Sequence, residues 1–237
     1  DSSAAGATPA GEAGVAPRAL SEIVVGIVDD GLDYVHPLLD GFVDPALAVD
    51  HADGDATSLA GPDDRHGVAV AGVIAGALPE MDAIAPGVTI AGHRVAFGTD
   101  GSLDMFASAV RAQAAVDVSN NSWGFVSPFG DDFASPAFEP LAAAVEHAAS
   151  EGRGGLGTTL VFAAGNGRRS GDDVNYHNLQ NSEFVEAVGA VDAAGRAASF
   201  SIPGAAVLLS APGVNVLTTD RVGAAGYAGG ETAYVSG

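Results

Sequence analysis

The chain has 237 residues, of which 47% are hydrophobic and only 16% charged; this excludes a disordered polymer and fits one α/β domain with a sizeable core. Thirty acidic residues stand against nine basic ones, all arginine, and the net charge of −21 argues against nucleic acid or an anionic membrane as partner. Cysteine is absent, which excludes disulfides, and no apolar run approaches the roughly 18 residues of a membrane span.

Residues 1–16 are small and polar and read as a flexible leader before a single domain over 17–237. Ile23 to Val28 is β-branched and glycine-containing with no polar face, the signature of a strand buried on both sides of a parallel sheet. It ends in Asp29-Asp30-Gly31, at the strand end where open α/β sheets place their chemistry. Leu32 to Pro37 is a turn, and residues 41–60 are Asp-rich and irregular.

Val68 to Gly76 is apolar on every side and predicts a buried helix, capped by Asp63 or Asp64, with His66 in its first turn. Its glycines at 67, 72 and 76 predict close packing against other backbone. Val88 to Val95 is a second strand. Ser102 caps a helix with Leu103, Phe106 and Val110 on one face.

Val116 to Ser122 returns as a strand that runs into Trp123-Gly124, and a helix near Pro140 to Ser150 follows a Pro- and Phe-rich loop. Thr158 to Ala164 is another buried strand, closed by Gly165-Asn166-Gly167, and Phe184 to Val191 and Ala206 to Leu209 are two more apolar runs. Alternating strands and helices imply a doubly wound, mainly parallel sheet.

Asp29, His66 and Asn166 each lie close to glycine at a strand end or helix start, positions that this architecture gathers at one edge. A buried carboxylate, an imidazole and an amide donor are the parts acyl transfer needs. The four other histidines outside the motifs (36, 51, 93 and 147) show no zinc-ligand spacing and read as structural.

Six segments in order resemble the subtilisin family of serine peptidases: Asp29 to Tyr34, close to its kexin form; His66 to Gly72; Ser122-Trp123-Gly124; Phe162 to Gly167; Phe184 to Val191; and Ser210 to Gly213. The resemblance implies the family's three-layer fold and an Asp-His-Ser triad in which Asp29 orients His66. Asn166 would be the oxyanion donor, next to Ala163, Ala164 and Gly165, and Ser122, Trp123 and Gly124 would flank the substrate. It further places Asp30, Asp63 and Asp64 at an acidic pocket for a basic residue next to the scissile one, with helix capping and a solvated turn as the alternatives. His177 stands where a pocket acid or floor glycine is expected, and Phe125-Val126-Ser127 replaces the acids of the kexin branch.

The family nucleophile lies in Gly-Thr-Ser, so the serine is expected two positions beyond Gly237; Ser236 does not match it. The expected domain therefore lacks its C-terminal part with the serine helix. It is expected not to fold alone and to take that remainder as partner, besides a peptide or protein substrate. No cofactor is required. A structural calcium would need a site other than the usual one, because Leu38 replaces its aspartate and the loop 78–82 is short, and Asp131-Asp132 and Asp172-Asp173 offer oxygen clusters. The expected location is extracellular or periplasmic. Two competing readings are a non-catalytic peptide-binding relative and a magnesium phosphotransferase built on Asp29-Asp30.

Overall fold

Runs of β-branched and small residues, apolar on both faces, form a seven-stranded sheet in the computed structural model, which describes residues 18–80 and 82–237. The leader expected over 1–16 lies outside the described residues. The strands are β1 (Val24–Asp29), β2 (Val49–Asp50), β3 (Thr89–Arg94), β4 (Val118–Asn121), β5 (Thr159–Ala163), β6 (Val185–Val191) and β7 (Val207–Pro212). Their order is β2-β3-β1-β4-β5-β6-β7, and every pairing is parallel. The doubly wound α/β architecture is thus as expected. β2 arises inside the stretch that reads as irregular, because two residues suffice to pair Val49 with His93.

The strand period of two sorts β1 between the layers. Val25 and Ile27 pack with Val68, Ala71 and Ala75 of helix α1 (His66–Ala75) on one face. Val28 packs on the other face with Val110 of α2 (Leu103–Ala112) and Leu141, Val145 and Ala148 of α3 (Glu139–Gly155). Ser102 caps α2 as expected, accepting the Met105 N–H at 3.2 Å. Helical dihedrals in α3 stop before Gly152, where Arg153 and Gly154 take positive φ.

The cap expected for α1 is a correction. Neither Asp63 nor Asp64 closes its N-terminus. The Asp30 carboxylate does so from 35 or more residues away, accepting the backbone N–H groups of Arg65 (3.0 Å), His66 (2.9 Å) and Gly67 (2.7 Å). Asp64 instead accepts the Gly61 N–H at 3.0 Å and pairs with Arg94 at 3.3 Å. The close packing expected of the α1 glycines is present: a Cβ on Gly67 would strike the Gly31 carbonyl, and one on Gly72 would strike Thr218 and Thr219. Those threonines belong to an antiparallel hairpin, β8 (Val216–Thr219) and β9 (Thr232–Val235), that the sequence reading leaves unassigned. Their hydroxyls donate to the carbonyls of Ala69 and Val68, which pins the hairpin to α1.

Candidate active site

Asp29 is the last residue of β1 and continues the parity of Val25 and Ile27, so its carboxylate points to the α1 side. It is 2% exposed, and both its oxygens lie 2.9 Å from His66 Nδ1. The hydrogen bond that His66 Nδ1–H donates to Asp29 pushes the imidazole up to about 9, while burial raises Asp29 itself. Nδ1 is therefore the nitrogen that keeps its proton, and Nε2 is left as the one that can exchange a proton. Asp30, one residue on, fixes the backbone that carries the ring. The Asp30 N–H in turn donates to Asp29 Oδ1 at 2.8 Å.

His66 opens onto a cavity of about 540 Å³. It is lined by His66, Asn120, Ser122, Gly165 and Asn166 together with apolar residues, among them Val70, Val73 and Ile74 of α1 and Val188 and Ala190 of β6. The parallel pairing of β4 with β5 brings Ser122 and Ala163 to the same edge as Asp29. Gly165 turns the chain at φ +100°, a conformation other residues rarely adopt, and presents Asn166 outward. The Asn166 amide has no hydrogen-bond partner among the described residues, so it is available as a donor. Asp29, His66 and Asn166, distant in sequence, thus meet at one site, with Ser122, Ala163 and Gly165 beside them.

The remaining expected residues are placed otherwise. Ala164 is buried under the strand end, and Trp123 is buried against Phe106 and Phe162, 4.8 and 5.2 Å between ring centroids. Gly124 abuts Gln180, whose amide donates to the Ala163 carbonyl at 3.3 Å. His177 is 2% exposed and does not line the cavity. Its Nε2 lies 3.0 Å from Asp172 and its Nδ1 3.3 Å from Asp131. This corrects the expected oxygen clusters: Asp131 and Asp172 face each other across an imidazole, and the adjacent Asp132 and Asp173 turn to backbone amides. Among the described residues no group of three or more acidic or histidine ligands gathers around Leu38. Asp50, Asp53 and Asp55 bring ligand atoms within 4.8 Å, but Asp50 is bound to Arg94 at 2.9 Å and to two backbone amides, so an internal cation already serves it.

Sequence reasoning missed the loop between β8 and β9. Asp220 is fully buried and accepts N–H groups from Tyr227 (2.7 Å), Ala228 (2.7 Å) and Gly229 (3.2 Å). The subtilase family model matches residues 21–237.

The chain belongs to the subtilase family.

It is 32% identical over 215 residues to a dibasic-processing endoprotease of Schizosaccharomyces pombe, covering 85% of this chain and 29% of that protein. It is 31% identical over 227 residues to a calcium-dependent protease of Trichormus variabilis, covering 88% of this chain and 34% of the relative. The chain therefore spans about a third of the length of these subtilase relatives. A crystal structure of a cold adapted subtilisin-like serine proteinase superposes with a TM-score of 0.68 at 25% identity, over 91% of this chain and 69% of its own. A serine protease of Aeromonas sobria gives 0.78 at 22% identity over 92% and 45%, a likeness of fold.

Proposed function

We propose that this subtilase domain is part of a serine endopeptidase in which Asp29 orients His66, and His66 takes the proton of a serine that follows Gly237 in the longer protein. The Asn166 amide, with a backbone N–H, stabilises the oxyanion. The observation that carries this reading is the Asp29–His66 pair opening, beside the free Asn166 amide, onto one cavity. The attack moves the serine proton to His66 Nε2 as the Oγ–carbon bond forms and the carbonyl π pair moves to oxygen. Collapse breaks the C–N bond as the same proton goes to the leaving amine. A water, deprotonated by His66, then hydrolyses the acyl-serine, and the proton returns to Oγ. Ser236 does not match the family's Gly-Thr-Ser nucleophile, because it precedes Gly237 where the motif serine follows the threonine.

The apolar residues in the cavity lining support a peptide or protein substrate, whose side chains they can pack against, and a secreted location belongs to the same proposal. Calcium has no place in the catalytic steps of this proposal.

The experiment is labelling of the full-length protein with a fluorophosphonate probe. Modification of one serine that is lost in His66→Ala supports the peptidase. Peptide binding without any labelling supports the non-catalytic alternative, and activity that needs magnesium and survives His66→Ala would support the phosphotransferase.

A further inference from the structure

Outside the candidate active site, one exposed serine is joined to two imidazoles in a row. Ser108 lies on the exposed side of α2, and its Oγ is 3.1 Å from His51 Nδ1. His51 Nε2 is in turn 3.1 Å from Nδ1 of His93, which is 5% exposed. The backbone holds both residues: Val49 pairs with His93 across β2 and β3, and the His51 N–H donates to the Arg94 carbonyl at 2.8 Å. The ring centroids are 5.4 Å apart with planes inclined by 22°, so the rings meet end to end and the two nitrogens point at each other. That arrangement holds a proton between them and not a metal ion, on which lone pairs must converge from different directions. Burial lowers His51 from its ordinary value and His93 to about 4, so both rings are neutral near pH 7.

We propose that Ser108 is a second nucleophilic serine of this protein, activated by His51 with His93 behind it, and that it takes an acyl group from an uncharged activated ester. This departs from the structural reading of both histidines and is independent of the peptidase reading. With each Nε2 carrying its proton, His51 Nε2–H donates to His93 Nδ1, and His51 Nδ1 is left to accept the Ser108 hydroxyl. His51 then stands to Ser108 as a general base, while His93 is a positioning residue that fixes the His51 tautomer. In the transfer, the Ser108 proton moves to His51 Nδ1 as the Oγ–carbon bond forms and the carbonyl π pair moves to oxygen. Collapse then breaks the bond to the leaving oxygen, which takes that proton. Helical spacing puts Asp104 and Arg111 one turn to either side of Ser108, opposite charges that favour neither an anionic nor a cationic ester. The backbone N–H groups around Ser108 are spent inside the helix, so none of them is left to hold an oxyanion, and the acyl group stays on the serine.

The test treats full-length protein with p-nitrophenyl acetate near neutral pH and follows the acetylation of each serine by mass spectrometry of its peptides. Ser108 is expected to react about 10²-fold faster than the exposed Ser127 and Ser170, the lower range of what a positioned base contributes. That excess should vanish in His51→Gln and persist in His66→Ala, which separates it from the candidate active site. Nitrogen NMR of the His51 ring should show the proton on Nε2, giving way to a mixture of tautomers and a slower Ser108 in His93→Phe. Phenylalanine keeps a ring in that place, so a merely structural His93 would leave both tautomer and rate as they are. The proposal is overturned if Ser108 reacts no faster than Ser127 and Ser170, if its rate survives in His51→Gln, or if the His51 proton sits on Nδ1. Loss of Ser108 acetylation in His66→Ala would overturn it as well. Failure of the peptidase reading shows separately, as the absence of fluorophosphonate labelling at the serine after Gly237, and leaves the Ser108 rates untouched.

Discussion

Asp30 Oδ2 accepts the backbone N–H of His66 at 2.9 Å, so the residue after the one that grips the imidazole also fixes the peptide that carries it. Two adjacent carboxylates at one strand end thus set both the ring and the main chain of the same histidine. The first is a catalytic orienter in the proposed function and the second is a helix cap supplied from a distant segment.

The cap can be weighed. Asp30→Ala leaves three N–H groups at the start of α1 without their acceptor and removes a favourable charge from the helix N-terminus. A loss of about 1–2 kcal/mol is expected, read as a lower urea midpoint of the full-length protein. Activity falls with it, since the histidine backbone is no longer held. An unchanged midpoint together with unchanged turnover would show that Asp30 fixes nothing.

The ring contact sets a pH dependence. The hydrogen bond donated to Asp29 raises His66 to about 9, above its ordinary value of about 6.5. The protonated ring therefore favours folding: this contribution is fully present below pH about 6.5 and is lost as pH rises toward 9. Proton abstraction needs the neutral ring, so the rate of the free enzyme climbs over the same interval. In Asp29→Asn the NMR titration of the His66 ring should fall toward the ordinary value, with turnover reduced about 10⁴-fold. A titration midpoint that stays near 9 in the variant would place the cause elsewhere.

Asn166 makes a separate prediction. Asn166→Ala should lower kcat by about 10²- to 10³-fold with little effect on KM, because the amide is needed only once charge develops on the carbonyl oxygen. A change confined to KM would make it a binding group.

The buried His177 gives a prediction for stability. His177→Ala leaves Asp131 and Asp172 facing each other without the imidazole between them, a loss of about 3–5 kcal/mol. Replacing one of the two carboxylates as well, in His177→Ala with Asp131→Asn, should recover part of the loss in thermal unfolding. No recovery in the double variant would indicate a packing role only.

The parts legible from sequence are those whose signal is local. β1 shows as an unbroken β-branched run, Asn166 as the residue between two glycines after a buried strand, and His66 as the first residue of an apolar helix. The family resemblance joins them because their order along the chain is informative. Asp30 was not legible as a cap, since its partners lie 35 to 37 residues away and Asp63 and Asp64 stand in the local cap position. His177 faces Asp131 from 46 residues away, and nothing local separates that pairing from a solvated acidic pair. Tyr227 lies in a loop of small residues and glycines, where no periodicity exists to read. The acid that organises that loop, Asp220, directly follows a strand, which is the one signal that could have marked it.

The central position of β1 has a consequence for biosynthesis. Val24 pairs with Thr89 and Val25 pairs with Val118, so the strand that carries Asp29 is made well before either of its neighbours. One edge of that strand stays unsatisfied until β3 is made, and the other until β4 is made. Parallel topologies of this kind close slowly and leave strand edges open to wrong partners in the meantime. The residues that assemble the site first in sequence are thus among the last to be secured in time, and a nascent chain stalled before residue 118 would expose β1 to aggregation.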